Sequence, residues 1–335
     1  MANRRCQSGM SLIELMVALA IGTFLLAGTI SVFGKTRDLY RTNDSAARLQ
    51  ETARYAMSTL EADLRMANYW GLMSRADLIE NGPTLDPANP PNVNPTYTLP
   101  AALTGYGATI NLCGAMWAIK LPAYVEATNS YTLGCGAFGA GSVAGSDTLT
   151  IRRVSTNAIA AGALAASAGQ IKIQTSRVQG TLFANGTVPA GYLPPLSETR
   201  AVIVNGYYVD QDSDERGGTP SLRRKQLDVA GNAPTIVDLQ IVPGVEDLQV
   251  ELGADFNEDQ NADYFVAPDT AIPAGDSIVA VRIWLLVRAE QQETGFTDGR
   301  TYTYGSRVGA NVYTPGDAFR RVLVTKTIAL RNTRR

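Results

Sequence analysis

The sequence predicts an α+β protein in which one long N-terminal helix precedes a large, antiparallel, β-rich globular head. Three observations carry this. Residues 12–33 form an apolar run whose one ionisable member is Glu14, long enough at about 1.5 Å per residue to cross a hydrocarbon core as a helix. Residues 49–67 place Leu49, Ala53, Ala56, Leu60, Leu64 and Ala67 three and four apart, which makes one helical stripe. From about residue 103 short apolar runs alternate with Gly and Asn turns, in a chain of 335 residues with 31 Gly, 16 Pro and 18% charged side chains. That is the pattern of strands and tight connections.

The N-terminal stretch carries the most specific chemistry. Arg4 and Arg5 precede Gly9-Met10-Ser11-Leu12-Ile13-Glu14-Leu15-Met16-Val17-Ala18-Leu19. An acid at membrane depth costs roughly 2.5–3.5 kcal/mol on insertion scales and marks a function with a partner to be named. A cut between Gly9 and Met10 creates an α-amine one helical turn before Glu14, a cationic partner in the same chain or in a neighbouring copy. A secretory signal has an apolar core of about 7–15 residues and a small-residue cleavage site; this run is longer and ends at Phe33-Gly34-Lys35. A plain signal anchor accounts for the length and for the basic residues on the cytoplasmic side, but not for the acid.

These residues resemble the class III signal of type IV prepilins and pseudopilins: a short basic leader ending in Gly, an apolar helix, and Glu at the fifth mature position. The resemblance implies that a prepilin peptidase in the membrane cuts after Gly9, that the new N-terminus at Met10 is methylated (Phe is commoner there in the family), and that Glu14 is the assembly glutamate. It implies a leader at 1–9, a transmembrane and filament-core helix at 10–35, an amphipathic periplasmic half of the helix at 36–70, and a pilin-like head at 71–335. Gly22, Gly28 and Gly34 are places where the helix can loosen.

Beyond the stripe, the prolines between 83 and 100 exclude a helix or central strand over 81–100, which reads as an exposed loop. Strands are expected at 116–121, 148–154, 171–174, 200–210, 236–242, 248–252, 278–289, 300–304 and 320–330. Residues 158–169 are small and low in complexity, a short helix or a loop. Within this order, 49–56 and Asp63-Leu64-Arg65-Met66-Ala67-Asn68-Tyr69, the strand 277–288, and the ending at Thr327-Ile328-Ala329-Leu330-Arg331-Asn332 resemble minor pilins of the PilW type. The resemblance implies inner-membrane residence with a periplasmic head before assembly and an extracellular pilus after it. The partners it implies are other minor pilins, the major pilin, the inner-membrane assembly platform and a tip adhesin. Minor pseudopilins of type II secretion share the leader and plan, and a membrane-anchored binding module that never polymerises is the reading from another class.

Several chemistries are excluded or left open. A formal charge of −2 without basic clusters argues against nucleic acid. The chain has no histidine, no nucleophile elbow and no P-loop lysine, so enzymatic catalysis is not expected. Gly134-Cys135-Gly136-Ala137-Phe138-Gly139 spells a dinucleotide fingerprint but runs on into Ala140-Gly141-Ser142 rather than a helix, and reads as a turn. Of three cysteines, Cys6 lies in the leader, leaving Cys113 and Cys135 as a disulfide or as two buried thiols. No cofactor is expected, with one exception. Asp255, Asn257, Asp259, Asn261 and Asp263 alternate like the oxygen ligands of an EF-hand loop that holds Ca²⁺. Yet Gln260 stands where that loop needs Gly and Val266 where it needs a bidentate Glu, so a solvated acidic turn is the alternative. Asp210, Asp212, Asp214 and Glu215 form a weaker acidic cluster that reads as a charged hairpin tip.

Overall fold

The computed structural model describes residues 11–79, 99–192, 195–273, 275–305 and 312–333. The chain divides into two compact units, Met1–Arg48 and Leu49–Arg335. Helix α1, Leu12–Leu64, supplies the described residues of the first unit and the opening of the second. Gly22, Gly28 and Gly34 do not interrupt it. Thr23, Thr29 and Thr36 turn their hydroxyls back onto the carbonyls of Ala20, Leu25 and Val32 at 2.8–2.9 Å, which satisfies polar groups in an otherwise apolar segment.

Within the second unit α1 stops at Leu64, short of the expected 70. Met66 and Ala67 donate to Asp63 and Leu64, three residues back, tightening the last turn. Asn68 then enters the left-handed region at φ 61° and ends the helix.

Among the described residues thirteen strands follow: β1 Val125–Thr128, β2 Thr148–Ile159, β3 Lys172–Thr175, β4 Gly180–Phe183, β5 Glu198–Asp210, β6 Ser221–Ala230, β7 Ala233–Pro243, β8 Val245–Asp255, β9 Tyr264–Val266, β10 Ser277–Arg288, β11 Tyr302–Thr303, β12 Val312–Tyr313 and β13 Arg321–Ala329. They form a seven-stranded sheet, a four-stranded sheet in the order β13-β10-β8-β9, and the β11-β12 pair. Strand β5 is the spine of the larger sheet. It pairs with β2 along one side, and its other side is shared between β3 at its start and β6 at its end.

Period-two alternation sends β5 to two cores. Tyr207 and Val209 join the α1 stripe, with Leu149 and Ile151 of β2, Leu248 and Val250 of β8 and Val281, Ile283 and Leu285 of β10. Val202 and Val204 face the other way, with Val154, Ile173, Trp70, Leu103, Ile110 and Trp117. The Cys113–Cys135 disulfide lies in this second core.

Residues 116–121, expected as a strand, are irregular: Met116 sits at φ 54°, and the Trp117 carbonyl accepts from the buried Arg152 Nε at 2.9 Å. Conversely β1, β4, β6 and β12 were not expected. Residues 158–169 finish β2 and continue as two single 3₁₀ turns, Ala161–Ala163 and Ala165–Ser167. The expected loop at 81–100 lies outside the described residues save for 99 and 100.

A buried carboxylate joins helix to sheet. Asp63, 5% exposed, accepts from Arg153 Nε at 2.6 Å, Asn205 Nδ2 at 2.7 Å and the Tyr207 hydroxyl at 2.9 Å. Burial, then the Asp63 charge, raises the pKa of the Tyr207 phenol, so Tyr207 remains a donor. The two sheets are stitched where β2 begins. Asp147 donates its N–H to Leu248 O at 2.8 Å and accepts from Val250 N at 2.7 Å. Its other oxygen, Oδ1, is buried without a partner.

Two outcomes follow from these groups. Asp63→Ala leaves Arg153 without its acid, and breaking a buried pair costs roughly 3–5 kcal/mol. Urea midpoints of the detergent-solubilised chain measure this, and a loss below about 1 kcal/mol would mean the pair behaves as a solvated one. For Asp147, burial first, then Asp247 and Asp269, push the carboxyl pKa from 3.8 up to about 8. The folded state therefore holds this proton more tightly than the unfolded state. Its contribution to stability is complete below about pH 4 and is lost as pH rises towards 8. Asp147→Asn keeps an acceptor for Val250 and abolishes the charge, so thermal melting between pH 5 and pH 8 should show a flatter pH dependence than the parent. An unchanged slope would contradict the assignment.

Candidate functional site

The residues singled out near the N-terminus fall on both sides of the described boundary. Gly9 and Met10 lie outside the described residues. Glu14 lies inside, in the first turn of α1, where a carboxylate complements the positive end of the helix. Ser11 and Glu14 bond reciprocally: Ser11 N donates to Glu14 Oε2 and Glu14 N donates to Ser11 Oγ, both at 3.3 Å. This is a capping box. Its signature, Ser-x-x-Glu ahead of an apolar run, is present in Ser11-Leu12-Ile13-Glu14 and is a second reading of the same acid that the charge argument passed over.

Behind this cap the helix is apolar on every side. Leu12, Phe24, Ile30 and Phe33 are each at least 70% exposed, and the most apolar window of α1 buries nothing within the chain. A soluble monomer rarely exposes a continuous apolar surface of this extent. By length and composition the segment suits a bilayer core or a sheath of similar helices.

The C-terminal end of α1 is where the separate sequence words meet. Asn68 Nδ2 donates to Asn332 O at 2.8 Å, and Asn332 Nδ2 donates to Ala67 O at 3.1 Å. Lys326 of β13 reaches Glu61 at 2.5 Å, and that hydrogen bond lowers the Glu61 pKa. Thus 63–69 and 327–332, far apart in sequence, form one joint in which the Asn332 side chain caps the helix carbonyls. Strand β10, the third sequence word, is the inner strand next to β13.

The acidic alternation at Asp255, Asn257, Asp259, Asn261 and Asp263 occupies the β8–β9 connection. Its oxygens are turned onto the loop's own backbone. Asp255 accepts from the N–H groups of Asn257, Glu258 and Gln260 at 2.7–3.1 Å, and Asp263 accepts from Phe256 N at 2.9 Å. Gln260 takes φ 71°, the left-handed conformation for which the EF-hand pattern reserves Gly. Among the described residues no group of three or more His, Cys, Asp or Glu side chains is placed to hold a metal ion. Asp212 in the β5–β6 connection likewise accepts backbone N–H groups, from Ala140 and Gly218, each at 2.7 Å. Residues 134–139 form a turn with no helix after it.

Comparison with known proteins fits this geometry. Residues 206–332 match the family model described as Type IV Pilus-assembly protein W, and residues 4–30 match the prokaryotic N-terminal methylation motif. Pilin-like protein PilA3 of Thermus thermophilus is 38% identical over 64 residues, 18% of this chain and 28% of that protein. The chain thus spans little more than a quarter of that relative's length. A solved type IV-like pilin from Thermus thermophilus is similar at 18% identity over 52% of this chain and 91% of that one, with a TM-score of 0.25. The methylation motif thus covers the start of the exposed helix and the W-type match covers β6 to β13, and over these two stretches the chain is similar to minor pilins of the PilW type.

Proposed function

We propose that the protein is an assembly subunit of a type IV pilus that works near the filament tip. The apolar half of α1 holds it in the inner membrane with the head in the periplasm. A prepilin peptidase cuts after Gly9, Met10 is methylated, and the helix then passes from lipid into the core of an extracellular filament. The observation that carries this reading is the exposed apolar helix with a single acid at its start, both within the stretch that matches the methylation motif. Exchanging lipid tails for neighbouring apolar helices changes little hydrophobic energy. Register therefore rests on a polar group, Glu14, paired with the Met10 amine of this chain or a neighbour.

Other minor pilins, the major pilin, the inner-membrane assembly platform and a tip adhesin are the partners on this reading. A head comprising Leu49–Arg335 suits a position that is not repeated along the shaft. The match over 206–332 favours the pilus over the secretion pseudopilus.

Gly9→Ala should leave the longer precursor in the membrane, seen as a retained leader in the intact mass of the purified chain; normal processing of this variant would remove the cleavage assignment. Glu14→Ala should be processed normally yet fall by about tenfold or more in sheared filaments, because losing the pairing forfeits an interaction on the scale of roughly 2 kcal/mol. Wild-type amounts in the filament would sink the pairing mechanism.

A further inference from the structure

The dipeptide Asn-Gly occurs twice among the described residues, at Asn185-Gly186 and at Asn205-Gly206, and the fold treats the two differently. The pair is reactive because glycine lacks a Cβ, so its backbone nitrogen is free to close on the side-chain amide carbon before it. At 205 both reactants are held. Asn205 is 3% exposed, and its Nδ2 donates to Asp63 Oδ2 at 2.7 Å. Gly206 pairs with Thr150 of β2 on one side and Lys225 of β6 on the other, and a residue paired on both sides has its N–H engaged in the ladder.

At 185 neither is held in this way. Asn185 is exposed in the bend that follows β4, and the N–H of Gly186 meets no acceptor among the described residues. The Asn185 side chain folds onto its own backbone: Oδ1 accepts from Thr187 N at 3.2 Å and from the Thr187 hydroxyl at 3.3 Å. Such a turn brings Cγ towards the intervening nitrogen of Gly186, and two donors on the oxygen draw electrons from that carbon. Packing keeps the glycine there, since a Cβ would sit 3.0 Å from Ala165 Cα. A cation without an acid lies close by. Lys172 is fully buried, donates to the carbonyls of Ser167 at 2.5 Å and Ala184 at 3.5 Å, and has no carboxylate in ion-pair range among the described residues. Ala184 directly precedes Asn185, so a negative charge formed at 185 is attracted to that lysine.

We propose that Asn185 is a self-modifying site that deamidates in the folded head. The Gly186 nitrogen, having given its proton to hydroxide, attacks Asn185 Cγ. A C–N bond forms and closes an imide ring, the bond from Cγ to Nδ2 breaks, and ammonia leaves with a proton taken from water. Water then adds across one of the two imide C–N bonds, giving aspartate or, with the chain rerouted through the side chain, isoaspartate. Water is the sole co-reactant, and nothing is oxidised or reduced. The product carries a new carboxylate near the lysine that lacked one, so the charge at 185 records the age of the folded molecule. This chemistry concerns the head alone and stands independently of filament assembly.

The test incubates the full chain in detergent micelles at pH 6 and pH 8, folded and in urea, quenches it in acid and maps tryptic peptides by mass. Cleavage after Arg177, Arg200 and Arg216 puts Asn185 and Asn205 in separate peptides, 178–200 and 201–216. In the folded chain 178–200 should show the mass gain of NH₂ replaced by OH at least tenfold faster than 201–216. The gain should be faster at pH 8 than at pH 6, with isoaspartate exceeding aspartate. In urea the two peptides should convert at comparable rates, because the dipeptide is the same and the fold no longer separates them. Asn185→Gln, whose imide would need a larger ring, should abolish the gain in 178–200 and leave 201–216 unchanged. The proposal is overturned if Asn185 stays intact in the folded chain over the time in which Asn205 converts in urea, if both convert equally when folded, or if the gain persists in Asn185→Gln.

Discussion

The head depends on one buried carboxylate. A stripe of Leu and Ala sets which side of α1 faces the sheets, but apolar contact is non-directional and tolerates sliding along the axis. Asp63 removes that freedom. Its two oxygens are shared among Arg153 of β2 and Asn205 and Tyr207 of β5, so a shift of the helix by one turn would strand an ion in the interior. The penalty for an unpaired buried charge far exceeds that for a repacked leucine. Four residues beyond Leu64, the left-handed Asn68 and its partner Asn332 close the helix end, so depth and termination are both set by polar contacts.

The same device recurs wherever the head departs from a simple sandwich. Arg223 of β6 pairs with Asp214 at 2.7 Å and Asp238 at 2.9 Å and lies 3.7 Å from the centroid of the Phe138 ring, which ties the disulfide-bearing connection to the sheet. Arg321 of β13 meets Glu246 of β8 and Asp317, while the Tyr302 hydroxyl donates to Asp298 at 2.9 Å. The excursion between β10 and β13 is thereby fastened at its β13 end and braced within. Such pairs add little net stability over apolar isosteres, but their directionality excludes alternative packings.

This explains what was and was not legible in the sequence. The membrane-length helix, the stripe from Leu49 to Ala67 and the long strands β2, β5, β10 and β13 follow the rule that apolar means inward, and were legible for that reason. Strand β6 was hidden because Ser221, Arg223 and Lys225 are polar and buried; their acids lie elsewhere in the chain, and no periodicity of β6 announces them. Residues 116–121 failed in the other direction. Their apolar side chains do enter a core, but Arg152 and not a neighbouring strand takes the Trp117 carbonyl.

Glu14 can be followed one step further by weighing its two possible partners. The capping box at 3.3 Å is long and exposed, so it contributes no more than about 1 kcal/mol, yet it parks the carboxylate at the helix start. A carboxylate already bonded to a local N–H enters an apolar medium at lower cost than a bare one. Exchanging that long bond for an ammonium is then favourable, since in a low-dielectric medium two opposite unit charges attract more strongly than a charge and a single peptide dipole. On the assembly reading, cleavage after Gly9 creates that ammonium next to the cap. Ser11 would thus hold Glu14 ready in the membrane, and the same contact, being weak, would release it when a neighbouring helix offers its own terminus.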